Sequence, residues 1–294
     1  MTLRLGTRGS ALALAQARWV AERLDGEVEL VSITTSGDRG LGPSDKSRFT
    51  KEIEHALLRG EIDLAVHSAK DVPGNLPDGL AIVGVPERVD ARDALCGAGS
   101  LDELPAGATV GTSSLRRRAQ LAALRPDLVV CELRGNVDTR LGRLAEGAYD
   151  ALVLAQAGLE RLGRAGDGTP IPSSTLVPAA GQGCLALEGR DGESGASEAA
   201  AAITDRDALT RLTAERAVVA ALDATCHTPV GAHGELVDGL RLTAFVGMPD
   251  GSHWLRDWIG APAADPAAAG RAVAQRLLSA GAAELLAAAE AQAA

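Results

Sequence analysis

Through its first 165 residues the chain repeats one pattern, a short apolar run followed by a longer amphipathic stretch. This alternation constrains the fold most, because parallel strands need a long crossover between them and a helix is its usual form. "LRLGT" (3–7) predicts a strand, "SALALAQARWVAERL" (10–24) a helix, "EVELVSI" (27–33) a strand, "RFTKEIEHALLRG" (48–60) a helix and "DLAVHS" (63–68) a strand. The order restarts with a strand at "ATVGT" (108–112) and a helix over 113–124. Strand-like runs at 127–133 and 150–155 then alternate with helix-like ones at 136–147 and 157–163. Two α/β units follow, each with a mixed, mainly parallel sheet covered on both faces. "IPSSTLVPAAGQG" (171–183) is rich in Pro and Gly and reads as a crossover or hinge. Beyond it lie a strand (184–190) and a long helix (205–222). Three runs joined by Gly/Asp turns (230–237, 240–248, 252–260) and helices starting at Asp265-Pro266 then make a smaller α+β unit.

Length agrees, since 294 residues exceed one ordinary core. Aromatic residues make up only 2%, so the cores must be Ala, Val and Leu, and platforms for stacking bases are excluded. A net charge of −10 also opposes binding to a phosphate backbone. No segment reaches the roughly 18 apolar residues of a membrane span. Arg4, Arg8 and "ALALAQA" mimic a signal peptide, but Gln16 interrupts a short apolar run, so the expectation is a soluble cytoplasmic protein with reduced thiols. Cys96, Cys131, Cys184 and Cys226 are widely spaced, with no CxxC pair and no zinc-like Cys/His set, so no metal is expected.

Against the acidic average, arginines bunch at Arg116-Arg117-Arg118 and recur at Arg134, Arg140 and Arg143. Guanidinium grips carboxylates and phosphates in bidentate fashion, so the cluster suggests a small polyanion as ligand. Thr112-Ser113-Ser114 would cap the next helix, yet Arg116 and Arg117 fall near its first turn, where the helix dipole disfavours cations and a bound anion would compensate. Arg8 and Ser10 have the same strand-to-helix placement, as do Arg134-Gly135-Asn136, with Arg140 one turn further on. In open α/β sheets ligands sit beyond the carboxyl ends of strands. "HSAKD" (67–71) is at such an end, and Asp71 among anion-binding groups is costly unless a cation forms beside it. Cys226, in "DATCHTPVG", has polar, turn-forming flanks that favour an accessible thiol.

The stretches "RLGTRGSALALAQA", "AVHSAKDVP", "VGTSSLRRRAQL", "LRGNVDTRLGRL", "DALVLAQAGLERLG", "GQGCLALE", "TAERA" and "CHTPVGA" occur in this order almost end to end. Together they resemble the porphobilinogen deaminase (hydroxymethylbilane synthase) family. The resemblance implies two lobes of the type II periplasmic-binding-protein kind, residues 1–87 with 184–203 and residues 91–178, plus a small α+β domain over 206–294. It implies a transferase of tetrapyrrole (heme) biosynthesis that joins four porphobilinogens head to tail, releases ammonia at each step and frees the linear product with water. It also implies a dipyrromethane cofactor on a cysteine thioether, with Cys226 as the attachment point and Asp71 as the catalytic carboxylate.

By the same resemblance, Ser68, Lys70, Thr112, Ser113, Arg116, Arg117, Arg134, Gly135 and Arg140 hold the cofactor, while Arg8, Ser10, Lys46, Arg161 and Gln182 meet the substrate. Two departures stand out: "SDKSRF" (44–49) replaces a glycine-rich flap, and Ala224-Thr225 precede the cysteine where the family has glycine. Porphobilinogen is the expected partner, with neither nucleic acid nor membrane, and the expected state is a monomer. The competing reading is a non-catalytic two-lobe carboxylate receptor or a low-activity paralogue.

Overall fold

The computed structural model describes residues 2–38, 49–192, 194–224 and 228–293. In chain order the first elements are β1 (Leu3–Arg8), α1 (Ala11–Ala21), β2 (Val28–Ile33), α2 (Lys51–Leu58), β3 (Leu64–Ser68) and β4 (Leu80–Gly84). Then come β5 (Asp93–Cys96), β6 (Thr109–Gly111), α3 (Leu115–Leu124), β7 (Val129–Cys131), α4 (Val137–Ala145), β8 (Ala151–Ala155), α5 (Gln156–Arg161) and β9 (Thr169–Ile171). The chain continues through β10 (Leu185–Arg190), α6 (Ser194–Ala202), α7 (Arg206–Ala221), β11 (Val230–Leu236), β12 (Leu240–Gly247), β13 (Trp254–Ala261), α8 (Pro266–Ser279) and α9 (Ala282–Ala293).

Two five-stranded sheets have one topology. The first runs β2-β1-β3-β10-β4 and the second β7-β6-β8-β5-β9. In each, three neighbouring strands are parallel and one strand is inserted antiparallel to both its neighbours, β10 between β3 and β4 and β5 between β8 and β9. Four of five strands therefore share a direction, the mixed and mainly parallel arrangement expected. The inserted strand is in each case the one that follows a crossing between sheets. β5 comes straight after the first sheet's β4, and β10 straight after the second sheet's β9. A three-stranded antiparallel sheet, β11-β12-β13, is backed by α7 and α8.

Helix starts obey local chemistry. Ser10 Oγ accepts from Ala13 N, Asn136 Oδ1 from Thr139 N and Asp265 Oδ1 from Ala268 N, each cap being worth roughly 1 kcal/mol. The cores are Ala, Val and Leu, as the scarcity of aromatics requires. Where lobe two meets the third sheet, Ala119 of α3, Val177 of the second crossover and Phe245 of β12 pack together. That crossover ends in Gly181 (φ 73°) and Gly183 (φ 87°), flanking Gln182. A Cβ at Gly183 would lie 2.5 Å from the Val89 carbonyl oxygen, so the two crossings can touch only because this position has no side chain. Among the described residues no helix is long and apolar enough to cross a membrane.

Candidate functional site

Two of the three arginines at the start of α3, Arg116 and Arg117, turn inward, while Arg118 faces solvent. Arg116 and Arg117 are 4% and 5% exposed, and both grip Asp93, the fully buried first residue of the inserted strand β5. Arg116 donates from Nη1 to Asp93 Oδ2 (2.7 Å) and from Nη2 to Oδ1 (3.0 Å), while Arg117 donates from Nε to Oδ1 (2.9 Å). Their remaining contacts include the backbone oxygens of Val177 and Val153. Gln182 completes the cluster: its Nε2 donates to Asp93 Oδ1 and to Ala91 O at 2.8 Å, and its Oε1 accepts from Lys70 Nζ at 3.4 Å. Burial alone would raise the Asp93 carboxyl, but the two guanidiniums overcome it and hold the group well below the usual carboxylate range.

This cluster carries too much positive charge for its one carboxylate. Burial, then the Arg117 guanidinium, push Lys70 down to about 8, against weaker support from Asp71 and Asp93. Arg140, which donates to Ser113 Oγ at 3.2 Å, is lowered by burial and again by Arg117. Arg161 donates to Gly183 O at 2.7 Å and is lowered by burial to about 10. Cations depressed by one another and by desolvation are what a bound polyanion relieves. A dipyrromethane carries an acetate and a propionate on each ring, so the donor set fits it.

Asp71 ends a single 3-10 turn, Ala69–Asp71, that follows β3. With Ser68, His67, Ser10, Gln16 and Phe49 it lines a small open cleft. Ser68 Oγ accepts from Gln16 Nε2 at 3.2 Å, while Ser10 is engaged as the cap of α1. Arg8 lines the same cleft but is committed to an ion pair with Asp38 and stacks 4.3 Å above the Phe49 ring. Beneath the cleft, His67 Nε2 lies 3.0 Å from Glu188 Oε2 on β10, both side chains being buried. Burial raises Glu54 of α2 over the lowering by its Thr50 hydrogen bond, and the Glu188 charge adds a smaller push upward.

The structure thus brings Lys70, Thr112, Ser113, Arg116, Arg117, Arg140, Arg161 and Gln182 around the meeting of the lobes, but does not use them alike. Thr112 Oγ1 accepts from Ser114 N, and Gln182, at 1% exposure, has its amide engaged on both sides. Arg134 stands apart, with its side chain 83% exposed and paired with Glu132 at 2.7 Å; Gly135 next to it turns the chain at φ 118°. Lys46, most of the 44–49 flap and Cys226 with Thr225 lie outside the described residues. Of the described thiols, burial pushes Cys96 and Cys184 up to about 11, which makes them poor nucleophiles, and Cys131 is half-buried in β7. Among the described residues no group of His, Cys, Asp and Glu could hold a metal ion.

Sequence reasoning missed three residues here. Asp93 hides in "VDARDALC", where neighbouring Asp90 and Arg92 make it look like a surface charge. Arg88 and Glu215 form a buried pair at 2.7 Å, and Glu215 also accepts from Gly181 N and Gly234 N. Burial opposes the Glu215 charge, but Arg88 and then His233 bring its carboxyl down to about 2. Glu215 therefore ties α7 to both crossings between the lobes and to the third sheet.

Residues 3–198 match the family description "Porphobilinogen deaminase, dipyromethane cofactor binding domain", and residues 209–279 match "Porphobilinogen deaminase, C-terminal domain". The porphobilinogen deaminase of Thermus thermophilus is 47% identical over 96% of this chain and 97% of its own length. That of Deinococcus radiodurans is 47% identical over 97% and 98%. Among solved structures, the methionine-binding protein MetQ is 18% identical, with a TM-score of 0.41 over 67% of this chain and 87% of its own, too distant to bear on the site. With both family descriptions matched and half of the residues shared with these relatives over nearly full length, the chain belongs to the porphobilinogen deaminase family.

Proposed function

We propose that the chain is a hydroxymethylbilane synthase, which condenses four porphobilinogens with loss of ammonia and releases the linear tetrapyrrole with water. The observation that carries this reading is the surplus of positive charge, half-buried Lys70 with buried Arg116 and Arg117 over Asp93, beside the cleft that Asp71 lines. Dipyrromethane, when bound through Cys226, supplies the pyrrole carbon on which the product is built. Lys70, Arg117, Arg140 and Ser113 offer cations and hydrogen-bond donors to its carboxylates; Arg116 and Gln182 act chiefly by holding Asp93 and Arg117 in place. Arg161, Ser68 and Ser10 face growing product or substrate, and Arg8 reaches substrate carboxylates only by giving up Asp38.

Asp71 is the catalytic residue in this reading. When the side-chain amine of porphobilinogen leaves as ammonia, the substrate is left as a pyrrolic cation, and the half-buried Asp71 carboxylate stabilises that charge. The cationic walls bind substrate carboxylates while Asp71 answers the cation, so opposite charges on one molecule fix its orientation. We further propose three domains with the boundaries given above, and a cytoplasmic monomer.

The test is direct. Protein from cells that make porphobilinogen should weigh more than its sequence by two pyrrole units, Cys226→Ser protein should lack that mass, and added porphobilinogen should release ammonia. Asp71→Ala protein should keep the adduct and lose nearly all turnover. Ligand binding with no ammonia and no adduct would instead indicate a carboxylate receptor.

A further inference from the structure

The segment after Asp71 has no regular structure to hold it. Pro73 has no N–H to give, Gly74 and Pro77 follow, and a loop of this kind must have its carbonyls satisfied from outside. One side chain does this. Arg216, on α7, donates from Nη1 to Val72 O (3.4 Å) and from Nη2 to Pro73 O (2.8 Å) and Gly74 O (2.9 Å). Three consecutive carbonyls immediately after Asp71 converge on one guanidinium. The contact is partly buried, and burial lowers the Arg216 charge somewhat, with Glu188 opposing that shift. Packing reinforces it, because Ala69 and Val72, on either side of Lys70 and Asp71, share a core with Ala208 and Leu212 of the same helix.

We propose that Arg216 is a positioning residue for Asp71: it docks the 72–74 backbone onto α7 and so fixes where the carboxylate stands in the cleft. The proposal rests on the catalytic role given to Asp71 above. The helix is itself anchored one residue earlier, through Glu215, to both crossings between the lobes. Asp71 is thus referenced to the frame that sets the lobes, not to its own loop. Lysine can reach only part of this arrangement, since it is a point charge without the planar fork of guanidinium. Displacement of a charge-stabilising group by about 1 Å can cost on the order of 100-fold in rate.

The experiment uses the primer-loaded protein carrying Arg216→Gln or Arg216→Lys. We expect Arg216→Gln to keep the two-pyrrole mass and lower kcat by roughly 30- to 100-fold, with KM for porphobilinogen changed less than about threefold. Arg216→Lys should fall between it and the parent. Hydrogen exchange, which needs no activity, should show faster exchange at Asp71, Val72 and Gly74 in both variants while α7 keeps its protection. Parent-like kcat, or unchanged exchange at 71–74, overturns the proposal, as does a loss that appears in KM alone. If Arg216→Gln does not fold, Arg216→Lys carries the same two readouts. Should the parent itself release no ammonia, the proposed function fails, and the exchange result still decides whether Arg216 holds the loop.

Discussion

The two lobes have the same strand order and the same inserted antiparallel strand, yet they use the acidic residue on that strand in opposite ways. In lobe two, Asp93 on β5 sits opposite Ala155 and receives two arginines. In lobe one, Glu188 on β10 sits opposite Ala65, lies against His67, and adds to the raising of the neighbouring Glu54. One topology therefore produces a cationic interior on one side and an acid-leaning one on the other. Backbone geometry does not decide which; the side chains on the flanking helix do. Helix α3 brings Arg116 and Arg117, and α2 brings Glu54. A reaction that must hold carboxylates and steady a cation needs both environments, and the cleft that Asp71 lines is built from lobe-one residues.

Neutralising the two acids should give unequal results. Asp93→Asn leaves two buried guanidiniums sharing a neutral amide beside Lys70, and removing one partner of a buried charge network costs about 3–5 kcal/mol. Glu188→Gln removes a charge that Glu54 opposes and keeps the shape, so it should stay within about 1 kcal/mol of the parent. Urea denaturation of both variants measures the difference. Equal costs would mean that the lobes do not differ in the way described.

That difference was only half legible in the sequence. The alternation of periods read correctly, because strands such as 64–68 and helices such as 206–221 carry long or strongly apolar signals. Four elements were not anticipated. β5 is only four residues long, β9 contains Pro170, and α6 is an Ala- and Gly-rich stretch with little apolar periodicity, whereas β4 (LAIVG) is as long and as apolar as β3. Two of these matter most, since β5 carries Asp93 and β9 pairs with it. The arginines at the first turn of α3 implied a bound anion; the anion they meet in the structure is instead the chain's own Asp93, at a sequence distance no local pattern can show.

A smaller contrast separates arginines that looked equivalent. Arg134 and Arg140 both belong to a strand-to-helix motif, but Arg140 turns toward Ser113 and feels Arg117, while Arg134 is solvent-exposed and paired with Glu132. A charged hydrogen bond in a partly buried site is worth about 1.5–3 kcal/mol, so Arg140→Gln should raise KM for porphobilinogen by roughly 10- to 100-fold. Arg134→Gln should change it less than about threefold, since exposed pairs contribute little. Steady-state kinetics on the two variants decides, and a larger effect at Arg134 would mean that its side chain swings inward when ligand binds.

The finest test uses pH, because the two environments predict opposite slopes. Lys70 has a folded value of about 8, below the 10.5 of an unperturbed lysine. Between those values the unfolded chain holds more protons than the folded one, so stability attributable to Lys70 rises with pH across about 8 to 10.5. Glu54 is raised above its ordinary 4.5. From there up to its folded value the folded chain holds more protons, so stability attributable to Glu54 falls as pH rises. Lys70→Met should therefore stabilise primer-free protein below about pH 8 and lose that advantage by about 10.5. Glu54→Gln should bring a benefit that grows as pH rises above 4.5 and levels off above the folded value of the glutamate. Primer carboxylates beside Lys70 restore its charge, so the lysine slope should flatten in primer-loaded protein and the glutamate slope should not. A lysine slope that survives loading would place the primer carboxylates away from Lys70, and the cationic surplus would then serve the incoming substrate instead.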